Sequence, residues 1–299
     1  MSAKLLAETN TIGRLLDNEP MARHTSWRVG GPAERYFEPA SVEDLAGFLR
    51  SLASDEPLLW IGLGSNLLVR DGGIKGVVIA THRMLRKLAR IGELGVYAEA
   101  GVPCAKVARQ CARWGLGPAQ FFAGIPGTIG GALAMNAGAF GGETWRHVVD
   151  VDVIGRSGEI ITRGFRDYQV GYREVDGPAE EWFLATRLRF DREAGASPQA
   201  IRDLLARRKA AQPIGAPSCG SVFRNPPGRH AAHLIETAGL KGARIGGAAV
   251  SEKHANFIIN SGSATAADIE ALIEHVASMV ERAHGVVLQT EVRIVGERA

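Results

Sequence analysis

Cysteine is scarce in this chain of 299 residues, and neither sign of charge predominates. The three cysteines, Cys104, Cys111 and Cys219, form no CxxC pair, and their odd number argues against a disulfide framework. A reducing compartment, the cytoplasm, is therefore expected. The formal net charge is only +3, and no basic run is interleaved with aromatic residues, so a nucleic-acid-binding protein is not indicated.

Long apolar runs and metal-ligand motifs are also missing from the sequence. No apolar stretch has the length needed to span a bilayer, and the first residues lack the continuous apolar region of a signal peptide. The eight histidines show no HExxH or comparable spacing. We therefore expect no membrane insertion, no signal peptide and no metal site.

The two familiar nucleotide-binding fingerprints are absent. The sequence has no Walker A motif, and the segment Gly62-Leu-Gly-Ser-Asn-Leu67 has Leu67 where a Rossmann fingerprint needs its third glycine. The residues Leu67–Val69 favour a strand over the start of a helix. What remains is either a tight ligand-binding loop with hydrogen-bonding side chains at Ser65 and Asn66, or a simple turn.

Glycine, by contrast, is concentrated in one stretch, Gly124–Gly142, which has seven glycines in nineteen positions and no charged side chain. The glycines alternate with apolar residues that would anchor the segment in a core. An anchored backbone with accessible N–H groups suits a phosphate or a flat ring system. The alternative is a glycine-rich buried turn with a short helix at Ile129–Met135.

Signals for helices and strands alternate along the chain and indicate mixed α and β structure. Ser41, with Asp44 three residues later, predicts the capped start of a helix, and Thr265 starts the clearest helical pattern, which ends at Gly285. A boundary is predicted at Asp191–Ser197. Further helices are expected at residues 4–17, after Pro103 and after Ser197-Pro198, and strands at Leu58–Ile61, Val77–Ala80, Leu85–Ile91, Val96–Glu99, Val148–Ile154, Ile160–Thr162, Trp182–Phe190 and Val286–Val295.

Three further motifs complete a recognisable pattern, namely Gly171-Tyr-Arg173, Gly220-Ser-Val-Phe-Arg-Asn-Pro226 and Gln289-Thr-Glu-Val-Arg293. Together with the two glycine-rich segments, and in this order, they resemble the UDP-N-acetylenolpyruvoylglucosamine reductase family of peptidoglycan precursor synthesis. The resemblance extends from about Thr25 to Arg293. Each motif alone would be weak, but their combination is specific.

The resemblance implies an α+β fold. It has a two-subdomain FAD-binding region of the vanillyl-alcohol-oxidase/p-cresol-methylhydroxylase type at 1–195, with subdomains of about 1–80 and 81–195, and an α+β substrate-binding domain at 196–299. No His or Cys occurs in Gly62–Asp71 or Gly124–Gly142, so FAD should be bound noncovalently. The cofactor-binding residues implied are Gly62, Gly64, Ser65, Asn66, Leu67, Gly124, Ile125, Pro126, Gly127, Thr128, Gly130, Gly131, Ala132, Asn136, Gly138 and Ala139.

The family transfers a hydride from NADPH through FAD to the enolpyruvyl β-carbon of UDP-N-acetylglucosamine enolpyruvate. The resulting enolate-like charge needs stabilisation and the α-carbon needs a proton. The resemblance assigns Arg173 to the carboxylate, Ser221 to proton donation and Glu291 to the developing enolate. The residues alone also permit a surface arginine, a turn or cap serine, and an ion pair of Glu291 with Arg293 or another cation.

Six more residues are candidates for substrate binding, with the diphosphate assigned to Lys209 and Asn225; the remaining four are Tyr172, Arg224, Lys253 and His254. The short spacer before the third domain is typical of the family type without an inserted substrate-covering loop. We expect a monomer that binds NADPH and the UDP substrate. Two alternatives are another FAD-dependent oxidoreductase of the same fold and a non-catalytic nucleotide-binding module.

Overall fold

The computed structural model describes residues 12–193 and 195–299. The described chain divides into two compact units, each assembled from separate segments of sequence. The first unit comprises 12–17, Arg35–Gly62 and Gly76–Pro198, and the second comprises Asn18–Glu34, Leu63–Lys75 and Gln199–Ala299. Both units contain helices and strands, in agreement with the expected α+β class.

The described residues form six α-helices and twenty strands. The helices are α1 Val42–Ser51, α2 Cys104–Trp114, α3 Ile129–Ala134, α4 Pro198–Ala211, α5 Ala231–Thr237 and α6 Ala266–His284. The strands are β1 Arg14–Pro20, β2 Pro32–Glu38, β3 Leu58–Ile61, β4 Leu67–Val69, β5 Ile74–Ala80, β6 Leu88–Ile91, β7 Gly95–Glu99, β8 Leu116–Gly117, β9 Gly138–Ala139, β10 Gly142–Glu143, β11 Val148–Gly155, β12 Ile160–Gly164, β13 Gln169–Gly171, β14 Glu174–Asp176, β15 Glu181–Arg189, β16 Asp191–Arg192, β17 Arg244–Ile245, β18 Ala248–Val250, β19 Ile258–Asn260 and β20 Arg293–Val295.

Helix α1 packs its apolar face into the core of the first unit. The Ser41 hydroxyl accepts a hydrogen bond from the Asp44 amide at 3.1 Å, which confirms the predicted helix start. One turn later Phe48 is buried and stacks on Phe37 of β2, with ring centroids 3.9 Å apart. Strands β1, β2, β5 and β3 form a sheet in that order, with β3 parallel to β5.

The larger sheet of the first unit is antiparallel and has the strand order β12-β11-β15-β7-β6. Its β11–β12 hairpin is the one predicted from sequence. Ile154 of β11 and Leu184 of β15 are buried in the same apolar cluster as Phe48 of α1. Cys104 and Cys111 are free thiols on the buried face of α2, where they pack as small core residues.

The second unit is built around α6. Seven residues of this helix are buried, and the six apolar ones among them pack with β18, β19 and α5 in one apolar cluster. Strands β17, β18 and β19 form an antiparallel sheet, while β4 runs parallel to β20. The predicted helix start is confirmed, because the Thr265 hydroxyl accepts from the Asp268 amide at 3.0 Å.

Three local expectations need correction or extension. The helix expected at 4–17 falls partly outside the described residues, and from Arg14 onward the chain is strand β1 instead. The final strand is shorter than predicted and covers only Arg293–Val295, because residues 289–291 pair separately with the segment after Ser221. Helix α5 was not predicted, since His230 provides no side-chain cap and seven residues give little periodicity.

An ion-pair cluster ties the end of β4 to α6. Arg70 donates from Nε and Nη2 to the Glu270 carboxylate at 2.9 Å in each case, and Arg298 donates to the same carboxylate at 2.9 Å. The hydrogen bonds from Arg70, followed by those from Arg298, lower the pKa of Glu270 to about 2 despite its burial. The charge on Glu270 therefore stabilises the fold.

We expect this stabilisation to be complete above about pH 4.5 and to disappear as the pH falls toward about 2, because the folded-state pKa of Glu270 is depressed. Glu270→Gln should lower the free energy of unfolding at neutral pH by about 1.5–3 kcal/mol. Urea unfolding across a pH series measures the difference. The control is Glu274→Gln, which removes an exposed carboxylate that also contacts Arg298. A wild-type advantage undiminished in acid would contradict the ion-pair origin.

Among residues 12–193 and 195–299, every helix is too short or too polar to cross a lipid bilayer. The same residues contain no group of three or more His, Cys, Asp or Glu side chains with the arrangement of a metal site.

Candidate active site

The glycine-rich segment is anchored at its centre to the carbonyl groups that follow β7. The Ile129 and Gly130 amides donate to the Val102 and Ala100 carbonyls at 2.9 and 2.8 Å. These two N–H groups of α3 are therefore already used within the protein. The short helix expected at Ile129–Met135 is present as α3, so the segment contains both the predicted helix and the predicted anchor.

Two adjacent glycines of α3 differ in what surrounds them. A Cβ added at Gly130 would lie 2.9 Å from the Ala100 Cβ, so packing within the protein explains this glycine. Gly131 is exposed, and a Cβ there would meet no atom closer than the Thr128 Oγ1 at 4.0 Å. Glycine in an exposed helix position costs about 1 kcal/mol relative to alanine. A group bound over Gly131 would account for that cost, so the segment fits the expected flavin.

The second glycine-rich loop connects β3 and β4. Gly64 adopts φ +59°, and a side chain there would collide with the His24 carbonyl. The side-chain nitrogen of Asn66 donates to the Glu291 main-chain carbonyl at 2.9 Å. The main-chain carbonyl of Asn66 accepts from the Arg293 amide at 3.1 Å. Asn66 therefore links this loop to the segment that precedes β20. Within the described chain, the Ser65 hydroxyl has no hydrogen-bond partner.

Arg173 lies at the tip of the β13–β14 hairpin, in a left-handed conformation with φ +58°. Its guanidinium is half-buried and donates to the Asn136 and Gly138 carbonyls at 3.3 and 2.8 Å. The guanidinium also lies 5.1 Å from the centroid of the exposed Tyr172 ring. The structure thus brings the predicted catalytic arginine onto the glycine-rich segment.

Asn136 is the buried link between this hairpin and the glycine-rich segment. Its side-chain nitrogen donates to the Gly171 carbonyl at 2.9 Å, and its side-chain oxygen accepts from the main-chain N–H of Trp145 at 3.1 Å. It is 3% exposed and has φ +44°. The contacts that the structure gives Asn136 are therefore structural ones that set the position of the Arg173 hairpin.

Ser221 and Glu291, 70 residues apart in sequence, lie on paired segments of the second unit. Phe223 and Thr290 form an antiparallel bridge, and the Glu291 amide donates to the Val222 carbonyl at 2.7 Å. Ser221 follows Gly220, whose φ of +78° permits the sharp turn into the segment. The Ser221 hydroxyl has no hydrogen-bond partner in the part of the chain that the structure describes, and Glu291 is half-buried.

The six substrate candidates divide between the two units. Lys209 is exposed on α4, and its carbonyl accepts from the Lys253 ammonium at 2.5 Å. Asn225 is exposed, and its amide oxygen accepts from the Ala231 amide at 3.0 Å, at the start of α5. Arg224 is half-buried beside Asn225 in the same segment. Tyr172, described above, is the one candidate in the first unit.

His254 is half-buried and lies edge-on to the Phe257 ring, 4.8 Å between centroids. Burial lowers the pKa of His254, so the imidazole is neutral at pH 7. Its Nδ1 is buried and has no hydrogen-bond partner among the described residues. A neutral imidazole in this position can either accept a hydrogen bond from a ligand or pack as an apolar ring.

One buried residue of this region, Asn256, was missed by the sequence reasoning. It contacts the segment directly after Ser221, whereas in sequence it is an isolated asparagine among apolar residues. No local signal distinguishes such an asparagine from a turn residue.

Comparison with known proteins identifies the class first. Residues 33–164 match the family profile described as an FAD binding domain. The fold and the two glycine-rich loops therefore define a flavoprotein with an FAD-binding region, as expected.

Residues 212–295 match a second profile, the C-terminal domain of UDP-N-acetylenolpyruvoylglucosamine reductase. The reductase of that name from Alkalilimnicola ehrlichii is 61% identical over 95% of this chain and 96% of its own length. The one from Methylococcus capsulatus is 59% identical over 95% and 94%. The chain belongs to the UDP-N-acetylenolpyruvoylglucosamine reductase family.

A solved structure agrees with this assignment. The crystal structure of UDP-N-acetylenolpyruvylglucosamine reductase from Thermus caldophilus has a TM-score of 0.78 and 29% identity, and covers 94% of this chain and 98% of that one. The protein is therefore an FAD-dependent oxidoreductase of peptidoglycan precursor synthesis, which confirms the family resemblance and excludes the non-catalytic binding module.

Proposed function

We propose that this protein reduces UDP-N-acetylglucosamine enolpyruvate to UDP-N-acetylmuramate, with NADPH as hydride donor and noncovalently bound FAD as the intermediate carrier. The observation that carries the proposal is the pairing of the Ser221 and Glu291 segments through the hydrogen bond from Glu291 to Val222. It brings the proposed proton donor and the proposed enolate partner to neighbouring positions.

When bound, FAD supplies the two-electron carrier, and we assign it to Gly62–Leu67 and Gly124–Ala139, chiefly over Gly131. The role of Arg173 is to bind the substrate carboxylate, which gains negative charge as the double bond is reduced. A guanidinium is permanently charged and matches a carboxylate in bidentate geometry. Its hydrogen bonds to the Asn136 and Gly138 carbonyls orient it before substrate arrives.

Ser221 donates a proton to the α-carbon in this proposal. A serine hydroxyl is a weak acid, so it serves only a strongly basic carbon, such as one conjugated with an enolate. Glu291 supports the same step by hydrogen bonding to the enolate or by returning a proton to Ser221. The half-buried position of Glu291 restricts its access to water, which favours either role.

The UDP end of the substrate requires cations and hydrogen-bond donors, for which we propose Lys209, Asn225, Arg224, Lys253 and His254, with Tyr172 beside the reacting group. We propose a functional boundary near residue 195, between an FAD-binding region at 1–195 and a substrate-binding domain at 196–299. A monomer in the cytoplasm, where NADPH and UDP-sugars are available, completes the proposal.

The test is a coupled measurement on the purified holoprotein. Oxidation of NADPH should depend on the enolpyruvyl substrate, and mass spectrometry should find a product two hydrogens heavier than the substrate. Rapid NADPH oxidation without the enolpyruvyl substrate, accompanied by oxygen consumption, would instead favour an oxidase of the same fold.

We also predict that the flavin is released by acid. Because neither glycine-rich segment contains a His or Cys that could form a covalent tether, acid precipitation should leave a colourless pellet and a yellow supernatant. Absorbance of the two fractions near the flavin band measures the partition. Yellow colour retained in a washed pellet would contradict noncovalent binding.

Replacing Lys209 by alanine should raise KM for the UDP substrate by about 10- to 100-fold with little change in kcat, because the lysine holds a group remote from the reacting carbons. Its backbone carbonyl, and with it the contact to Lys253, is retained in the variant. The matched control is Arg207→Ala, which removes an exposed cation from another face of α4.

Asn225→Ala should act in the same direction, with some loss of stability because Asn225 also accepts from the Ala231 amide. If Lys209→Ala and Asn225→Ala both kept the wild-type KM, the diphosphate would have to lie elsewhere.

A further inference from the structure

The segment after Ser221 is held on both of its edges, and only one of these edges is bonded to another strand-like segment. On that edge, residues 222–224 pair with residues 289–291. The Glu291 amide donates to the Val222 carbonyl at 2.7 Å, and the Arg224 amide donates to the Gln289 carbonyl at 2.9 Å.

On the other edge, Val222 and Phe223 are bonded by Asn256. Its side-chain oxygen accepts from the Phe223 amide at 2.9 Å, and its side-chain nitrogen donates to the Phe223 carbonyl at 2.8 Å. Its main-chain carbonyl accepts from the Val222 amide at 2.9 Å. The Asn256 side chain thus forms the pair of hydrogen bonds that a neighbouring strand would form.

We propose that Asn256 is a positioning residue for the catalytic step, which holds Ser221 in place through the two residues that follow it. The inference rests on the proposed function of Ser221. Gly220 precedes Ser221 with a left-handed φ of +78°, and no hydrogen bond to a described residue restrains the Ser221 side chain. Cys219, two residues before Ser221, is buried, and the bonds at Val222 and Phe223 hold Ser221 from the C-terminal side.

An amide is required at this position for a chemical reason. Both the N–H and the C=O of Phe223 are bonded by one side chain, so that side chain must present a donor and an acceptor together. An aliphatic residue supplies neither, and an ionised carboxylate supplies no donor. Asn256 is 3% exposed, so water cannot readily take over these bonds.

The second unit offers a matched control in Asn260. It is 8% exposed, and its side chain also bonds to the main chain, through a buried bond to the Trp27 carbonyl and partly buried bonds from the Gly262 and Ala264 amides. None of these bonds reaches residues 221–224. Asn256→Ala and Asn260→Ala therefore remove comparable structural bonds, and only the first removes bonds next to Ser221.

The experiment measures the two half-reactions separately on flavin-loaded protein, well below the melting temperature. In Asn256→Ala, oxidation of the reduced protein by the enolpyruvyl substrate should slow about 10- to 100-fold, since small displacements of a catalytic group have effects of this size. Its reduction by NADPH should stay within about twofold of wild type. Asn260→Ala should lower the melting temperature similarly and leave both rates near wild type.

A double variant provides the decisive comparison. If Asn256 acts through Ser221, then adding Asn256→Ala to Ser221→Ala should slow oxidation by substrate no further. The inference would be overturned if the slowing factors of the two single variants multiplied in the double variant. It would also be overturned by a normal oxidation rate in Asn256→Ala or by an equal slowing in Asn260→Ala.

Asn256→Asp serves if Asn256→Ala does not fold. It keeps the size of the side chain and the acceptor for the Phe223 amide. It should slow oxidation by the enolpyruvyl substrate and leave reduction by NADPH near the wild-type rate, and the inference fails if it does not. The proposed function has a separate sign of failure. If reduced Ser221→Ala were oxidised by the enolpyruvyl substrate at the normal rate, the role of Ser221 itself would be refuted. If that oxidation were slow in Ser221→Ala but normal in the Asn256 variants, only the positioning role would be refuted.

Discussion

Ser221→Ala is expected to accept electrons from NADPH at close to the normal rate and to fail in the oxidation by enolpyruvyl substrate. In the proposed mechanism, Ser221 donates its proton only after hydride has reached the β-carbon, so the first half-reaction does not require it. Loss of a general acid typically slows a step by about 10²–10⁴-fold. Rapid mixing, with the flavin absorbance followed for one half-reaction at a time, measures both rates.

Two companion variants test the chemistry of Ser221. Ser221→Cys should recover part of the activity, because a thiol is a stronger acid of nearly the same shape. Ser218→Ala removes a half-buried hydroxyl from the same loop and should behave as wild type. Normal oxidation of reduced Ser221→Ala by substrate would leave Ser221 as a turn residue, and the proton would then come from Glu291 or from water.

Gly131→Val is expected to weaken FAD binding by about 10- to 100-fold, since an unfavourable steric contact of this size costs about 1–3 kcal/mol. A Cβ at this position would lie 4.0 Å from its nearest neighbour, the Thr128 Oγ1, so we expect the apoprotein to fold normally. Valine also has a slightly higher helix propensity than glycine, which removes a trivial cause of instability. Titration of the apoprotein with FAD, with its melting temperature measured alongside, separates binding from folding.

Gly47→Val is the matched control for this substitution. Gly47 lies within α1, and a Cβ there would approach only the Arg50 side chain, at 3.9 Å. It therefore resembles Gly131 in its helical setting and free space but lies outside the proposed cofactor segment. Wild-type affinity for FAD in Gly131→Val, or an equal loss in Gly47→Val, would remove Gly131 from the cofactor site.

The amino-acid sequence by itself determined the features that depend on neighbouring residues. Ser41 and Thr265 start helices because their hydroxyls accept from amides three residues on. The β11–β12 hairpin forms because alternating apolar residues flank a short turn. The motifs were sufficient to indicate the family and its cofactor, since their order along the chain is a property of sequence alone.

Only the tertiary structure decided which residues meet. Gly130 and Gly131 are indistinguishable in sequence, yet one is required by Ala100 and the other faces open space. Asn256 and Ser221 are likewise unrelated by spacing, and so are Asn66 and Glu291, which lie 225 residues apart. Hydrogen bonds between such distant segments depend on how the whole chain folds back on itself. No local propensity encodes them, because the partners become neighbours only after the intervening core has packed.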